Sequence, residues 1–260
     1  MNGKNEDPVR PELSLIIPAR GAEAFLESSL AKAMTAFTEL DCPFEIIVVP
    51  NAGPEESRST EERALALAAQ SDGRIRVVPH RGAPGKGAAV ATGVAAARGD
   101  LLFFADADFH NGTEFFRFAL SELRAGADFV TGNRRRNESV FDIPVRLIGL
   151  AYRRHRIGLL FNRCVRLLFP IQTLDTQAGE KAFTRSFGER AFGLELCPGF
   201  FFDIELFLFC RENRCVWREV PIGVELHYER STVNVMRDAV QALKWLTRIW
   251  WQYHRGHYRL

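Results

Sequence analysis

The sequence of 260 residues has no apolar run approaching the roughly 18 residues a membrane-crossing helix needs, which excludes an obvious bilayer span. It has no C-x-x-C pair; Cys42, Cys164, Cys197, Cys210 and Cys215 are odd in number and scattered. That excludes a disulfide framework or a zinc ribbon and fits reduced thiols in a cytosolic setting. An excess of either sign of charge is lacking. The net value is +2, so the chain as a whole is not built to trap nucleic acid. No repeat recurs at a fixed period and no segment is of low complexity. The opening residues, among them Asn2, Lys4, Glu6 and Asp7, are polar, so residues 1–11 are expected to be a flexible lead-in without a targeting signal. No Gly-rich loop follows the first apolar run, since Pro18 to Glu23 contains Gly21 alone, and this argues against a nucleotidyltransferase.

What is present is an alternation. Nearly half the residues are apolar, and the length suits one α/β domain or a domain with an appendage. Strands are predicted at 13–18, where Pro18 stops the run, and at 44–49, 74–78, 101–104, 128–132 and 216–224. Helices are predicted over 23–37, 56–71, 88–97, 113–125, a stretch ending near 212, and 232–252. Strand and helix in turn, joined by short links, predict a doubly wound, mostly parallel sheet. Such sheets bind ligands at the carboxyl ends of their strands, where Pro18, Asn51, Asp106 and Gly132 fall.

The chain is organised around Leu101-Leu102-Phe103-Phe104-Ala105-Asp106-Ala107-Asp108-Phe109-His110. An apolar run of this kind reads as a buried parallel strand leading into two carboxylates and an imidazole. Asp106, Asp108 and His110 occupy every second position, so extended backbone would aim all three the same way. Two hard oxygens and one nitrogen suit Mg²⁺ or Mn²⁺, with positions left for a substrate phosphate. An isolated D-x-D serves equally as a cap, with Asp108 or Asn111 starting the next helix.

Beyond Gly132 the pattern changes. Residues 134–170 carry Arg134, Arg135, Arg136, Arg146, Arg153, Arg154, Arg156, Arg163 and Arg166, interleaved with Leu147, Leu150, Ile157, Leu160, Phe161, Val165 and Leu168. They predict one or two amphipathic helices whose cationic side is either a solvated face or a surface for an anionic acceptor or lipid headgroups. The last helix places Val233, Met236, Val240, Leu243 and Trp250 on one stripe. Trp245, Trp250 and Trp251 among Arg237, Lys244, Arg248 and Arg255 read either as interfacial anchors or as ordinary packing.

Four pieces stand in order: Gly85-Lys86-Gly87-Ala88-Ala89; Asp106-Ala107-Asp108; Asp175-Thr176-Gln177-Ala178-Gly179-x-Lys181-x-Phe183; and Phe202-Asp203-Ile204-Glu205-Leu206. Each is weak alone. Together they resemble the family 2 glycosyltransferases of the GT-A fold, nearest the dolichyl-phosphate mannose synthase and dolichyl-phosphate glucosyltransferase branch, from about Leu13 to Trp245. The resemblance implies a Rossmann-like GT-A domain over 12–231, with an amphipathic helix and basic tail over 232–260. It implies a UDP- or GDP-sugar donor and Mn²⁺ or Mg²⁺ on the donor diphosphate. The metal set matches Asp106 and Asp108, with His110 where the branch often has glutamine. The donor side matches Pro18, Arg20, Glu23, Asn51, Lys86, Asp106, Ala107, Asp108 and Gln177, and the Asp203 and Glu205 pair matches FDxEL.

Departures accompany the matches. The usual P-x-Y-N-E is Pro18-Ala19-Arg20-Gly21-Ala22-Glu23, with the acid one place late, and the usual V-D-D-G-S is Val49-Pro50-Asn51-Ala52-Gly53. Asn51 retains both a donor and an acceptor for a base edge. Arg230-Ser231-Thr232 stands where the branch has a late G-S-K, and Arg230 is expected to supply the lost positive charge near the diphosphate. The implied reaction is inverting transfer of one sugar by single displacement. A polyprenyl phosphate acceptor needs no general base and would sit on Arg134, Arg135 and Arg136. A neutral acceptor, a small metabolite or carrier-bound intermediate, needs a carboxylate, with Asp203 first and Asp175 second. Asp203 reads equally as a cap of the helix after Phe202. A sugar-nucleotide-binding protein without turnover is the reading outside enzymes. The expected setting is the cytoplasm, with peripheral membrane contact.

Overall fold

A computed structural model of the chain describes residues 10–51, 56–109, 113–135, 139, 141–225 and 235–260. In chain order the elements are β1 (Leu13–Ala19), α1 (Leu26–Thr38), β2 (Phe44–Pro50), α2 (Glu56–Ala68), β3 (Ile75–Val77), α3 (Lys86–Ala96), β4 (Leu101–Phe104) and α4 (Glu114–Arg124). Then follow β5 (Phe129–Asn133), β6 (Phe141–Asp142), a 3₁₀ turn (Val145–Leu147), α5 (Ile148–Leu168), β7 (Lys181–Thr184), α6 (Arg185–Phe192), α7 (Phe202–Glu212), β8 (Trp217–Pro221), β9 (Val224–Glu225) and α8 (Val235–His254). Seven strands form one sheet in the order β3-β2-β1-β4-β7-β5-β8, and β6 pairs with β9 apart from it. Every pairing in the large sheet is parallel except those of β7, which runs antiparallel to β4 and β5.

The strands are apolar at successive positions because both faces of the sheet are covered. Leu13, Leu15, Ile17, Ile46, Val48 and Phe103 face α1 and α4, which contribute Leu30, Phe37, Phe116 and Leu120. Ile16, Ile47, Val49, Leu102, Phe104 and Phe183 face the other way, against Val90, Val94, Phe187, Phe202 and Ile249 of α3, α6, α7 and α8. Helices on both faces of a mostly parallel sheet are the architecture the alternation predicted.

Three details differ from the sequence reading. Pro18 does not stop β1, which continues to Ala19. Ile16 O accepts from Ala105 N and Ala19 O from Asn51 N, so the alternation turns Pro18's missing N–H toward β4, which has already ended. Second, the motif segment that ends in Lys181-Ala182-Phe183 becomes β7, a four-residue strand inside the sheet between β4 and β5. Third, the packed face of α8 is Leu246 and Ile249 with half-buried Trp245 and Tyr253, while Val240 and Leu243 of the predicted stripe are exposed. Val233 and the Met236 side chain lie outside the described residues. The basic stretch forms a single long helix, α5, that buries Val165 but leaves Ile157, Leu160, Leu167 and Leu168 exposed. Among the described residues no helix is long and apolar enough to cross a membrane.

Candidate active site

The order of the strands reverses direction between β1 and β4, so the crevice lies outside their carboxyl ends. β4 delivers Ala105 and Asp106 there, and the chain turns at once, with Phe109 N donating to Asp106 O at 3.1 Å. Phe109 adopts φ +47°, a left-handed conformation that a bulky residue holds only when its side chain is gripped. The grip is the core, where Phe109 is fully buried with its ring 6.0 Å from that of Phe116. Extended alternation from Asp106 to Asp108 therefore does not occur, and a turn replaces it. Ala107 is buried and Asp108 half-buried in that turn. His110 lies outside the described residues, among which no three His, Cys, Asp or Glu side chains form a metal cage.

Lys86 opens α3 and reaches across to Asp106, Nζ to Oδ1 2.6 Å, with the ammonium 5.6 Å from the centre of the Phe104 ring. Burial works against its charge, but Asp106 and Asp203 outweigh it and hold the lysine pKa above its ordinary value. The flanking glycines explain how the turn fits. A Cβ at Gly85 would strike the carbonyl of Pro198, and one at Gly87 the carbonyl of Cys197. Gly87 N and Ala88 N donate to Gly199 O and Pro198 O at 3.2 and 3.0 Å. Asn51 fastens the same turn from β2: its Nδ2 donates to Gly85 O at 2.7 Å and its Oδ1 accepts from Gly85 N at 3.0 Å. The Asn51 amide expected to read a base edge is thus buried and engaged by backbone on both its polar atoms, which corrects that expectation.

Two buried ion pairs lie beside this turn. Lys181 faces Phe104 and Thr131 in the sheet register, and its fully buried ammonium forms an ion pair with Asp203, Nζ to Oδ1 2.8 Å, and donates to Ala178 O at 2.7 Å. Burial raises the Asp203 pKa and lowers that of Lys181, each against the pull of its partner. Asp203 is not the helix cap, since Phe201 holds that position without a side-chain bond and Asp203 lies in the first turn of α7. Asp175 is 1% exposed and accepts from Arg134 at Nε, Nη2 and the backbone N, at 2.8, 2.8 and 3.0 Å. Burial raises its pKa, yet the Arg134 hydrogen bonds prevail and hold it below the ordinary carboxylate value. Thr173 Oγ1 caps Asp175 N at 3.0 Å and itself donates to Glu219, which also accepts from Asn133 Nδ2 at 3.0 Å. Glu219 and Thr173 escaped the sequence reading because nothing local marks a strand glutamate as the brace of a distant turn.

The other expected residues divide. Gln177 lies half-buried, and its Nε2 has no hydrogen-bond partner among the described residues. Pro18 is half-buried at the end of β1 and Arg20 exposed beyond it. Glu23 is tied to α2, accepting from Thr60 Oγ1 at 2.8 Å, and its pKa is lowered by its own backbone N–H and then by Thr60. Arg135 lines a groove of about 1110 Å³ beside α5, together with Arg156, Arg163, Arg166, Leu160 and Leu167. Arg136 and Arg230 lie outside the described residues.

A family model described as glycosyl transferase family 2 matches residues 14–184. Glycosyltransferase AglD of Haloferax volcanii is 29% identical over 246 residues, 93% of this chain but 37% of that protein, so the chain spans well under half that relative's length. Dolichyl-phosphate beta-glucosyltransferase of Drosophila melanogaster is 29% identical over 98% of this chain and 79% of its own. Among solved structures, glucosyl-3-phosphoglycerate synthase from Mycobacterium tuberculosis with phosphoglyceric acid superposes with a TM-score of 0.64. It is 21% identical and covers 94% of this chain and 80% of its own. The same synthase, with Mn²⁺, uridine diphosphate and glucosyl-3-phosphoglycerate bound, gives a TM-score of 0.56 at 22% identity, covering 95% and 80%. These structures share the fold.

Proposed function

The chain belongs to glycosyl transferase family 2, and from that premise we propose that it moves one sugar from a UDP- or GDP-sugar to a polyprenyl phosphate. The observation that carries the acceptor is the state of the two carboxylates expected to act as bases. Asp203 is buried against Lys181 and Asp175 against Arg134, so neither is free to take a proton from a neutral alcohol. A phosphate monoester acceptor needs no base, because its nucleophile is already anionic. Arg134 is held rigid by Asp175 next to the arginine- and leucine-lined groove, which suits a phosphate head on an apolar tail. Arg135 and Arg136 add charge to that acceptor side. A dolichyl-phosphate glucosyltransferase among the relatives supports the same acceptor class.

On the donor side, Asp106 and Asp108 fit Mg²⁺ or Mn²⁺. They are hard oxygen donors on one turn, and Asp106 already accepts a cation, the Lys86 ammonium. With His110 they would hold the ion, which when bound neutralises charge on the departing diphosphate. The synthase solved with Mn²⁺ and uridine diphosphate supports that reading. Lys86 at the start of α3 offers an ammonium and helix N–H groups to a phosphate, and Arg230 is assigned beside it. Gln177, with an unspent amide, is placed on the sugar, and Pro18, Arg20, Glu23 and Ala107 border the nucleoside. Asp175 and Asp203 act here as holders of Arg134 and Lys181. Displacement of the diphosphate by the acceptor phosphate inverts the anomeric centre. The exposed apolar side chains of α5 and α8, set among arginines, suit peripheral contact with the membrane that carries such an acceptor.

The test is product formation from a panel of UDP- and GDP-sugars with Mn²⁺, offered polyprenyl phosphate in detergent and, separately, water-soluble alcohols and phosphorylated metabolites. A glycosylated polyprenyl phosphate is the expected product. Transfer confined to a water-soluble acceptor would overturn the lipid assignment, and donor binding without turnover would overturn the transferase mechanism.

A further inference from the structure

Glu205 is two residues beyond Asp203, is buried, and takes no part in the chemistry above. Its two oxygens have separate partners. Oε2 accepts from Cys197 N at 2.5 Å, and Oε1 accepts from the phenol of Tyr258 at 2.8 Å. Tyr258 is itself fully buried and fixed from several sides: Asn213 Nδ2 donates to its carbonyl at 2.7 Å, and His257 Nε2 lies 3.2 Å from Leu194 O. Residues 257–258 and α7 therefore clamp the 194–199 segment through one carboxylate. That segment in turn holds the Lys86 turn: Pro198 O and Gly199 O accept from Ala88 N and Gly87 N, and the carbonyls of Cys197 and Pro198 occupy the space that only glycine at 85 and 87 leaves open.

We infer that Glu205 is a positioning residue for the donor site: by bracing the Cys197 backbone against Tyr258 it sets where the Gly85-Lys86-Gly87 turn, and with it the Lys86 ammonium, stands relative to Asp106. The part of this inference that concerns catalysis rests on the donor role proposed for Lys86. Glu205 touches neither Lys86 nor any reacting atom assigned above, so its effect passes through backbone. A small displacement of the ammonium is enough to weaken its hold on a donor phosphate, since Coulomb attraction falls with distance. Tyr258 lies outside every motif that marks the donor site, which is why this contact is invisible to motif reading.

The experiment compares Glu205→Ala, Glu205→Gln and Tyr258→Phe with the unaltered chain in two assays. Hydrogen exchange is read at the amides of Gly87 and Ala88, with the β1 and β2 amides as controls for global stability. Donor KM and kcat are read at saturating acceptor. Glu205→Ala is expected to speed exchange at Gly87 and Ala88 by roughly tenfold or more while β1 and β2 stay protected. It should also raise donor KM by about fivefold with kcat within about twofold. Glu205→Gln retains an acceptor for Cys197 N and a donor for the phenol oxygen, so it should rescue both readouts, and Tyr258→Phe should fall between. Unchanged exchange at Gly87 and Ala88 in Glu205→Ala would overturn the inference. If that variant does not fold, unchanged exchange in Tyr258→Phe does so. If the unaltered chain accepts no sugar nucleotide, the donor reading falls alone and the exchange arm still decides whether Glu205 positions the turn.

Discussion

Asp175 and Glu205 are both buried carboxylates, and their partners drive them in opposite directions. Asp175 meets a guanidinium along its full edge, so it stays ionised well into acid. Its lowered folded pKa means a contribution to stability that is complete above the unfolded value of 3.8 and lost as pH falls through the folded one. Asp175→Asn is expected to cost about 2 kcal/mol near neutral pH, discounted because Arg134 is one-third exposed, and to flatten the acid limb of a urea-unfolding series. Glu205 has only dipoles in contact, the Cys197 N–H and the Tyr258 phenol, with Arg248 of α8 more distant. Burial pushes it up from 4.5 to about 7. Here the folded state keeps a proton that the unfolded state releases, so stability falls as pH rises from 4.5 to about 7 and then levels off. Glu205→Gln should remove that slope, worth on the order of 3 kcal/mol at most, in a plot of Tm against pH.

At the scale of elements, the Lys86 turn and α8 show how close approach and exposure divide the work. The turn sits between β2 and the 197–199 backbone with no room for a side chain at Gly85 or Gly87. Gly87→Ala must displace backbone, so it is expected to weaken donor binding by roughly tenfold or more while the fold persists; isothermal titration with UDP- and GDP-sugars checks this. In α8, Ile249 is fully buried in the layer shared with Phe104 and Phe202, whereas Leu243 is 70% exposed. Ile249→Ala should destabilise by about 2–4 kcal/mol. Leu243→Glu should leave the unfolding midpoint in place and reduce sedimentation with vesicles containing anionic lipid, and the same holds for Leu167→Glu on α5. Retained vesicle binding in both glutamate variants would remove the membrane reading.

Over the whole molecule, charge is distributed so that a small net value conceals local concentration. Cations and carboxylates meet at the carboxyl end of the sheet, while the described residues that line the groove beside α5 include Arg135, Arg156, Arg163 and Arg166 and no carboxylate. Vesicle binding is therefore expected to weaken as ionic strength rises and screening shortens toward ~8 Å. Chelation should abolish sugar transfer and Mn²⁺ restore it, and Asp106→Ala and Asp108→Ala should each lower kcat by roughly 10²-fold or more. Full activity in both variants would leave no place for the ion.

Much of this was legible before the fold was known. Short unbroken apolar runs with helical runs between them established the element order, because local patterning is all that such an order requires. Gly85-Lys86-Gly87, Asp106-Ala107-Asp108 and the segment from Asp175 to Phe183 stood out because each names its side chains directly, and the fold sets Lys86 beside Asp106 and Lys181 beside Asp203. Tertiary structure alone decided which partners those side chains take. That Asn51 is engaged by Gly85, that Asp175 holds Arg134 and Asp203 holds Lys181, that β7 enters the sheet antiparallel between β4 and β5, and that α8 packs through Ile249 instead of Leu243 are all contacts between segments far apart in the chain. Periodicity reports only how a segment divides its own faces. Which neighbour covers each face, and which charge answers a buried carboxylate, is set by the packing of the whole.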